Sequence, residues 1–271
     1  MVLGIECFLI KHNVILKDAQ DLMMMFMLIS SLWAKTDFGS ALLESQKFSV
    51  VVDDVLGEGT GFDADPLYPQ EQVNCLIWLQ WVLATAYSTD ESDFQTHLNA
   101  LRYHQSTISY GYRKHFVDRW TILEPGPLKS SLLCETDMAQ KVSLDLEGFA
   151  SKRSYTERLY EPEQRHFMIS FSSREAFKAC MTSLPEGYFV IFPVATDEYL
   201  QRWDSPSPML QVHAMVLEHK DGIKRIWHAS IDKKGVVFED PIQFSERMGT
   251  MIQGFKLYEL EEVWTPGLSQ E

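Results

Sequence analysis

The strongest constraint on the fold is the run CLIWLQWVLATA at positions 75 to 86, where only Gln80 and Thr85 interrupt an apolar sequence. Because apolar side chains occupy every helical position, the run predicts a helix that is buried on most of its faces. Asn74, directly before the run, is a favourable N-cap. The rest of the chain must therefore pack around this helix, with Cys75 at its first turn.

The elements around this helix change in kind along the chain. A second, amphipathic helix is predicted at residues 91–101 and another at 173–181, whereas the pattern from residue 125 to 183 is otherwise weak. The C-terminal third holds short β-rich runs separated by turn signals, namely YFVIFPV, LQVHAMVL, IKRIWHAS, KGVVFED and GFKLYEL. Helices followed by successive strands are typical of an α+β domain with an antiparallel sheet, not of a doubly wound parallel sheet.

Charge and cysteine content narrow the possible partners and cofactors. The formal net charge is −14, from 24 basic and 38 acidic residues, which argues against nucleic acid as a partner because nucleic-acid affinity depends on clustered Lys and Arg. The four cysteines show no CxxC pair, so neither a zinc site nor a disulfide scaffold is expected, and the redox compartment stays open: Cys7, Cys75, Cys134 and Cys180.

The N-terminal segment from 22 to 34, LMMMFMLISSLWA, allows two interpretations. It has the length of a signal-peptide core and is too short to span a bilayer, so no stable membrane insertion is expected. Asp18 and Asp21 precede it where a signal carries positive charge, which favours a buried helix. If translation starts at Met23 or nearby, the signal interpretation holds, with cleavage after Ala34 and export.

Three residues form a candidate catalytic constellation. Cys75 begins a helix, where the positive end of the macrodipole and unpaired N–H groups stabilise a thiolate and are expected to lower its pKa. His213 alternates with apolar strand residues, and His228 follows 228 − 213 = 15 positions later across an Asp221–Gly222 turn, so adjacent antiparallel strands can place the two rings side by side. Taken singly, such a cysteine and such histidines are more often packed core residues.

In their order, these residues and the motifs around them resemble the NlpC-type cysteine peptidase superfamily, and within it the N-acetylmuramoyl-L-alanine amidase-like branch. The resemblance runs from about residue 48 to 260 and is carried by LGEG (56–59), DPLY (65–68), Cys75, RY (102–103), RKHF (113–116), Trp120, His213, HAS (228–230) and the following KKGVV. It implies a bacterial cell-wall hydrolase with a papain-like fold, in which N-terminal helices carrying the nucleophile pack on a C-terminal antiparallel sheet. It also implies a Cys–His–His triad that cleaves an amide bond in peptidoglycan or muropeptides, with Cys75 as nucleophile, His213 as base and His228 as orienting group. No metal or organic cofactor is needed for such a mechanism.

The sequence has no internal repeat and no Pro/Ser-rich linker, which predicts one domain with an N-terminal extension, and the resemblance adds a substrate surface. Residues 1–40 would be a helical extension or signal-like segment, and 41–271 a single amidase domain with a divergent insertion at about 128–183. Arg113 could bind a substrate carboxylate through its bidentate fork, with His115 beside it and Tyr68 lining the cleft. The alternative for Arg113 and His115 is that they hold their loop in place by bonding backbone carbonyls.

Some positions depart from the pattern of the family and leave other functions open. Asn74 replaces an Asp, Leu76 and Ile77 replace a Thr-rich helix start, and Ala214 replaces a Gly. A secreted effector hydrolase that cuts a protein amide, or a non-catalytic muropeptide-binding domain, therefore stays an alternative. The periplasm, the cell envelope or the exterior is the expected location, with the cytoplasm not ruled out by the sequence.

Overall fold

The computed structural model describes residues 38–52, 55–115, 121, 126–143, 145–156, 159–160, 166–201 and 211–266. Within these ranges the protein is a mixed α/β structure built on one large, mostly antiparallel sheet. The expected N-terminal helical or signal-like segment lies outside them up to residue 37, as do Cys7 and Trp120.

In the described ranges the sheet has ten strands. They are β1 (Ser49–Val50), β2 (Gln72–Val73), β3 (Leu128–Ser130), β4 (Met138–Ser143), β5 (His166–Ser173), β6 (Gly187–Ala195), β7 (Met215–Lys220), β8 (Ile223–Ser230), β9 (Gly235–Glu239) and β10 (Ile252–Leu260). The order across the sheet is β2-β1-β9-β8-β7-β6-β10-β5-β4, with β3 also pairing with β10. The short β1–β2 pair is parallel, whereas β6 to β9 form a meander of antiparallel neighbours.

The α-helices join and cover these strands. Residues 38–44 are helical, and the further helices are α1 (Cys75–Tyr87), α2 (Glu91–Arg102), α3 (Leu146–Lys152), α4 (Arg174–Cys180), α5 (Asp197–Gln201) and α6 (Pro241–Met248). The helices predicted at 75–86, 91–101 and 173–181 are thus confirmed to within one or two residues.

Helix α1 is the centre of the largest core. The Asn74 side chain accepts a hydrogen bond from the Ile77 N–H at 2.9 Å, which is the N-cap that the sequence predicts. Trp78 and Leu79 are fully buried and share one apolar cluster with Val216 of β7. Burial of each such side chain contributes roughly 1.5–3 kcal/mol, so packing on the sheet holds the helix, and Cys75 with it, in place.

The middle region, where the sequence pattern is weak, extends the sheet. Strands β4 and β5 pair along their whole length. In β5 the alternating residues Phe167, Ile169 and Phe171 are buried in a separate core cluster. The residues between them, His166, Met168 and Ser170, are exposed. This alternation with a period of two is typical of a strand, although β5 was not predicted from the sequence.

Two further features differ from the sequence prediction. Strand β7 begins at Met215 and not at residue 210, so His213 lies in an extended segment just before the strand. Cys134 and Cys180 form a disulfide that ties the chain before β4 to the end of α4. Cysteine spacing alone did not reveal this pair, because the two residues lie 46 positions apart and meet only through the packing of α4 against the sheet.

Candidate active site

Cys75 is the first residue of α1 and stays partly exposed at the edge of the main core. The backbone N–H groups of Ala214, Leu76 and Cys75 itself lie close enough to its sulfur to lower the pKa of the thiol. Two of these belong to the first turn of α1, where N–H groups have no partner within the helix. The third belongs to Ala214, so the thiol lies beside the backbone of the residue that directly follows His213, the expected base.

Burial raises the pKa of the Cys75 thiol, and this outweighs the backbone N–H groups that act to lower it. The expected lowering of this pKa at the helix start is therefore wrong for this structure. The free-energy penalty of removing a thiolate from water is larger than the stabilisation that the nearby backbone N–H groups provide. In the resting state Cys75 is a neutral thiol.

His213 and His228 lie in contact. Met215 pairs with His228 across β7 and β8, and His213 lies two residues before Met215, just ahead of the strand. The His213 Nε2 lies 3.1 Å from the His228 Nδ1, and the rings are nearly perpendicular at 83°. The prediction that the hairpin places the two rings side by side is confirmed by this contact.

Both imidazoles are neutral near pH 7. Burial, followed by the charges of His228 and Arg247, lowers the pKa of His213 to about 3. Burial also lowers the pKa of His228, against the opposing effect of Glu239. In the part of the chain that the structure describes, the Cys75 thiol makes no hydrogen bond to a ring nitrogen of His213. Contacts of this kind are often long without substrate and tighten when it binds.

A carboxylate that was not predicted from the sequence contacts His228 on the side away from His213. Glu239 at the end of β9 pairs with Ile226, which places it diagonally across from His228 on the same face of the sheet. The His228 Nε2 lies 2.7 Å from the Glu239 Oε1, and Arg247 of α6 donates to the same oxygen at 2.5 Å. The register of the β8–β9 hairpin, counted from its turn at residues 231–234, would have revealed Glu239.

Arg113 lies in a buried polar network instead of an open cleft. Its guanidinium donates to the Glu58 Oε1 through Nε at 2.9 Å and Nη2 at 2.6 Å, and to the Asp63 Oδ2 at 2.9 Å. The side chains of Arg113 and Glu58 are 7% and 6% exposed. The fork that could have bound a substrate carboxylate is thus directed at carboxylates of the protein itself.

The same network explains the LGEG motif at residues 56–59. Tyr103 donates to the Gly57 carbonyl at 3.1 Å and to Glu58 at 3.2 Å. A Cβ atom on Gly57 would collide with Asp63, so this position requires glycine. Residues of LGEG and RY and the Arg113 of RKHF therefore meet at one place, where they hold the loop before α1.

His115 and Tyr68 have different surroundings. The His115 Nε2 lies 2.9 Å from the Tyr110 carbonyl oxygen, and its ring packs between Tyr110 and Phe149 at 4.6 and 4.8 Å. This matches the loop-holding alternative for His115. Tyr68 packs at the edge of the core cluster that includes Cys75 and lines a cavity of about 350 Å³ together with Asp65, Gln70 and Glu71 among others.

Metal-binding clusters and membrane-spanning helices are both absent from the part of the chain that the structure describes. No group of three or more His, Cys, Asp or Glu side chains there is arranged to hold a metal ion. Among the helices of the same ranges, none combines the length and the apolar character needed to cross a bilayer.

Comparison with known proteins connects this geometry to a family. The AmiA-like model, described as N-acetylmuramoyl-L-alanine amidase-like, matches residues 49–242. This range contains Cys75, His213, His228 and Glu239. No curated protein matches the chain in sequence.

Solved structures share the fold at low sequence identity. A Legionella pneumophila protein of the DUF1460 family superposes with a TM-score of 0.71 at 15% identity, over 85% of this chain and 91% of its own length. An N-acetylmuramoyl-L-alanine amidase from Bacteroides uniformis superposes with a TM-score of 0.61 at 16% identity, over 84% of this chain and 99% of its own. A Bacteroides fragilis protein put forward as a xylanase gives 0.57 at 17% identity, over 82% and 99%. At these identities the likeness shows the fold alone.

Proposed function

Since the chain belongs to the AmiA-like family of N-acetylmuramoyl-L-alanine amidase-like proteins, we propose that it is a papain-like cysteine amidase that hydrolyses an amide bond of peptidoglycan or muropeptides. Cys75 is the nucleophile, His213 the general base and His228 the group that orients it. The observation that carries the proposal is the ring contact of 3.1 Å between His213 and His228, with the Cys75 thiol beside the adjoining Ala214.

The neutral state of both groups favours general-base catalysis over a preformed ion pair. As the Cys75 sulfur attacks the amide carbonyl carbon, the thiol proton moves to the His213 Nδ1. When the tetrahedral intermediate collapses, the C–N bond breaks and His213 gives this proton to the leaving nitrogen, which leaves a thioester. Water then attacks the thioester carbonyl carbon and gives one proton to His213, which passes it to the departing Cys75 sulfur as the C–S bond breaks. The carboxylic acid product loses its remaining proton to solvent, and the Cys75 thiol is restored.

The start of α1 supplies the groups that can stabilise the oxyanion of this intermediate. The N–H groups of Cys75 and Leu76 have no partner within the helix and lie beside the sulfur. Asn74 takes up the N–H of Ile77 and so keeps the first turn regular. Backbone donors preset in this way act where negative charge develops, which is a large term in acyl transfer.

The disulfide supports a location outside the cytoplasm. Disulfides persist in the periplasm and in secreted proteins, whereas cytosolic thiols are kept reduced. The Cys134–Cys180 bond is therefore in accord with a protein of the cell envelope or exterior, where peptidoglycan lies.

Digestion of purified peptidoglycan and soluble muropeptides tests the proposal. Wild type should release fragments with a new amine and a new carboxylate, whose masses identify the bond, and Cys75→Ala should release none. His213→Ala should lose nearly all turnover, and His228→Gln should keep more than His228→Ala because it can still bond the ring.

Each other outcome of the digestion points to a different function. Binding of muropeptide without cleavage by wild type would indicate a non-catalytic domain. Cleavage of a protein amide but not of peptidoglycan would indicate an effector hydrolase. Either result would refute the proposed substrate.

A further inference from the structure

We propose that Glu239, held by Arg247, is a positioning residue that sets the tautomers of both His228 and His213 and thereby keeps the His213 Nδ1 unprotonated, in the form that can accept the thiol proton. This inference rests on the proposed function for its catalytic consequence, although the tautomers themselves can be measured without substrate. It extends the pair of histidines to a row of four contacting side chains, His213, His228, Glu239 and Arg247.

The tautomers follow from donor and acceptor roles along the row. An ionised carboxylate only accepts hydrogen bonds, so the His228 Nε2, 2.7 Å from the Glu239 Oε1, must carry the proton. In a neutral imidazole the other nitrogen is then an acceptor. The His228 Nδ1 therefore accepts from the His213 Nε2 at 3.1 Å, and the His213 Nδ1 is left without a proton. This is the only form of neutral His213 that can take a proton through Nδ1.

The ionised state of Glu239 has a visible cause. Burial alone would raise the pKa of this carboxyl, but hydrogen bonds from Arg247 and His228, and their charges, bring it below the usual value. Arg247 donates to the same oxygen that faces His228, so its charge acts directly on that acceptor. Arg247 thus keeps Glu239 ionised, and only the ionised carboxylate determines the tautomers of both histidines.

Local sequence builds this arrangement within ten residues. Glu239 ends β9, and the next residue, Asp240, caps α6 by accepting from two backbone N–H groups at 2.9 Å. The buried Phe244 of α6 packs its ring 5.5 Å from that of His228, and the Arg247 guanidinium lies 5.1 Å from the centre of the same Phe244 ring. Carboxylate, aromatic wall and arginine therefore come from one strand-to-helix junction.

Without Glu239, neither histidine would be restricted to one tautomer. His228 could then carry its proton on Nδ1 and donate to the His213 Nε2, which would move the proton of His213 to Nδ1 and block it as a base. The rate of the catalytic step should fall, whereas substrate affinity should not change, because both histidine rings lie between Glu239 and the His213 Nδ1.

The first test is nitrogen NMR of the ring nitrogens in the unliganded full chain with ¹⁵N-labelled histidine. Wild type should show both His213 and His228 protonated at Nε2 and bare at Nδ1 near pH 7. A proton on the Nδ1 of either ring would overturn the proposal. This measurement needs no variant and no substrate.

The second test uses Glu239→Gln and Glu239→Ala, with Glu246→Gln as the matched control. Glu246 is also a carboxylate of this junction, on α6, but it is exposed and pairs with Lys178 at 3.3 Å. Outer hydrogen-bond partners of metal-binding histidines typically contribute about 10- to 100-fold. By analogy, kcat of Glu239→Ala should fall by about 10- to 100-fold with KM nearly unchanged. Glu239→Gln, which can still accept a hydrogen bond, should lose less, and the control should keep wild-type values.

A Glu239→Ala protein with wild-type kcat, or with the wild-type tautomers, would refute the positioning role. An equal rise of KM would indicate a structural effect instead and would also count against it. If Glu239→Ala does not fold, Glu239→Gln and the wild-type spectrum decide. If wild type cleaves no peptidoglycan but shows the expected tautomers, the proposed function fails while the tautomer assignment stands.

Discussion

The Cys134–Cys180 disulfide should contribute to the free energy of unfolding by an amount that follows from the length of the loop it closes. The two residues are 4% and 7% exposed and lie 46 positions apart. For a closed loop of this size, the chain-entropy relation gives a loss of about 14 cal/mol/K from the unfolded state, or about 4 kcal/mol at 25 °C. Because domains are typically stable by only about 5–15 kcal/mol, the bond should supply a large part of the free energy of unfolding.

The perturbation is the double variant Cys134→Ala and Cys180→Ala, which leaves no buried polar group behind. Equilibrium unfolding in urea should show a free energy of unfolding about 4 kcal/mol below that of oxidised wild type. Added reductant should lower the stability of wild type and leave that of the double variant unchanged. Cys75→Ala, which keeps the bond, serves as the control. A difference below about 1 kcal/mol would refute the reasoning from loop closure.

Further predictions concern the loop network, the helix cap and the catalytic pair. Arg113→Met should destabilise the protein by about 3–5 kcal/mol by leaving buried Glu58 without a counter-charge, whereas exposed Arg153→Met should change stability by about 0.5 kcal/mol at most; a raised KM with unchanged stability would instead restore a substrate role. Asn74→Ala should cost about 0.5–2 kcal/mol in urea unfolding, and no change would contradict the cap. Since burial raises the pKa of Cys75, its alkylation by iodoacetamide at pH 7 should be slower than that of a free cysteine and should rise with pH; faster labelling would mean a thiolate. Because the pKa of His213 is lowered to about 3 and the base must be neutral, kcat/KM should be retained down to about pH 5; an acid limb near pH 6.5 would contradict this.

Local patterns predicted the parts of the fold that depend on short stretches of chain. Helix α1 was predictable because its apolar run and its Asn74 cap are both contiguous signals. The β7–β8 hairpin was predictable because its turn and its alternation together determine which residues lie opposite each other. The register pairs Met215 with His228 and so brings His213, two residues earlier in the chain, close enough for the two rings to meet.

Features that depend on distant packing were not predictable in the same way. The partners of Arg113 lie in a loop 50 and 55 positions away, so its charge suggested a ligand when it is paired internally. The pKa of Cys75 depends on how closely the core surrounds the thiol, which helix position alone does not reveal. The position of Glu239, in contrast, was predictable, because the register of the β8–β9 hairpin places it beside His228.

The most direct test of the central claim is a single-turnover reaction of a soluble muropeptide with excess enzyme, quenched in acid and followed by intact-protein and product mass spectrometry. Wild type should convert the substrate, with any adduct located on Cys75 and equal in mass to the acyl half of the cleaved amide. Cys75→Ala, shown to be folded by its unfolding curve, should form neither adduct nor product. Conversion by Cys75→Ala at the wild-type rate would contradict the account.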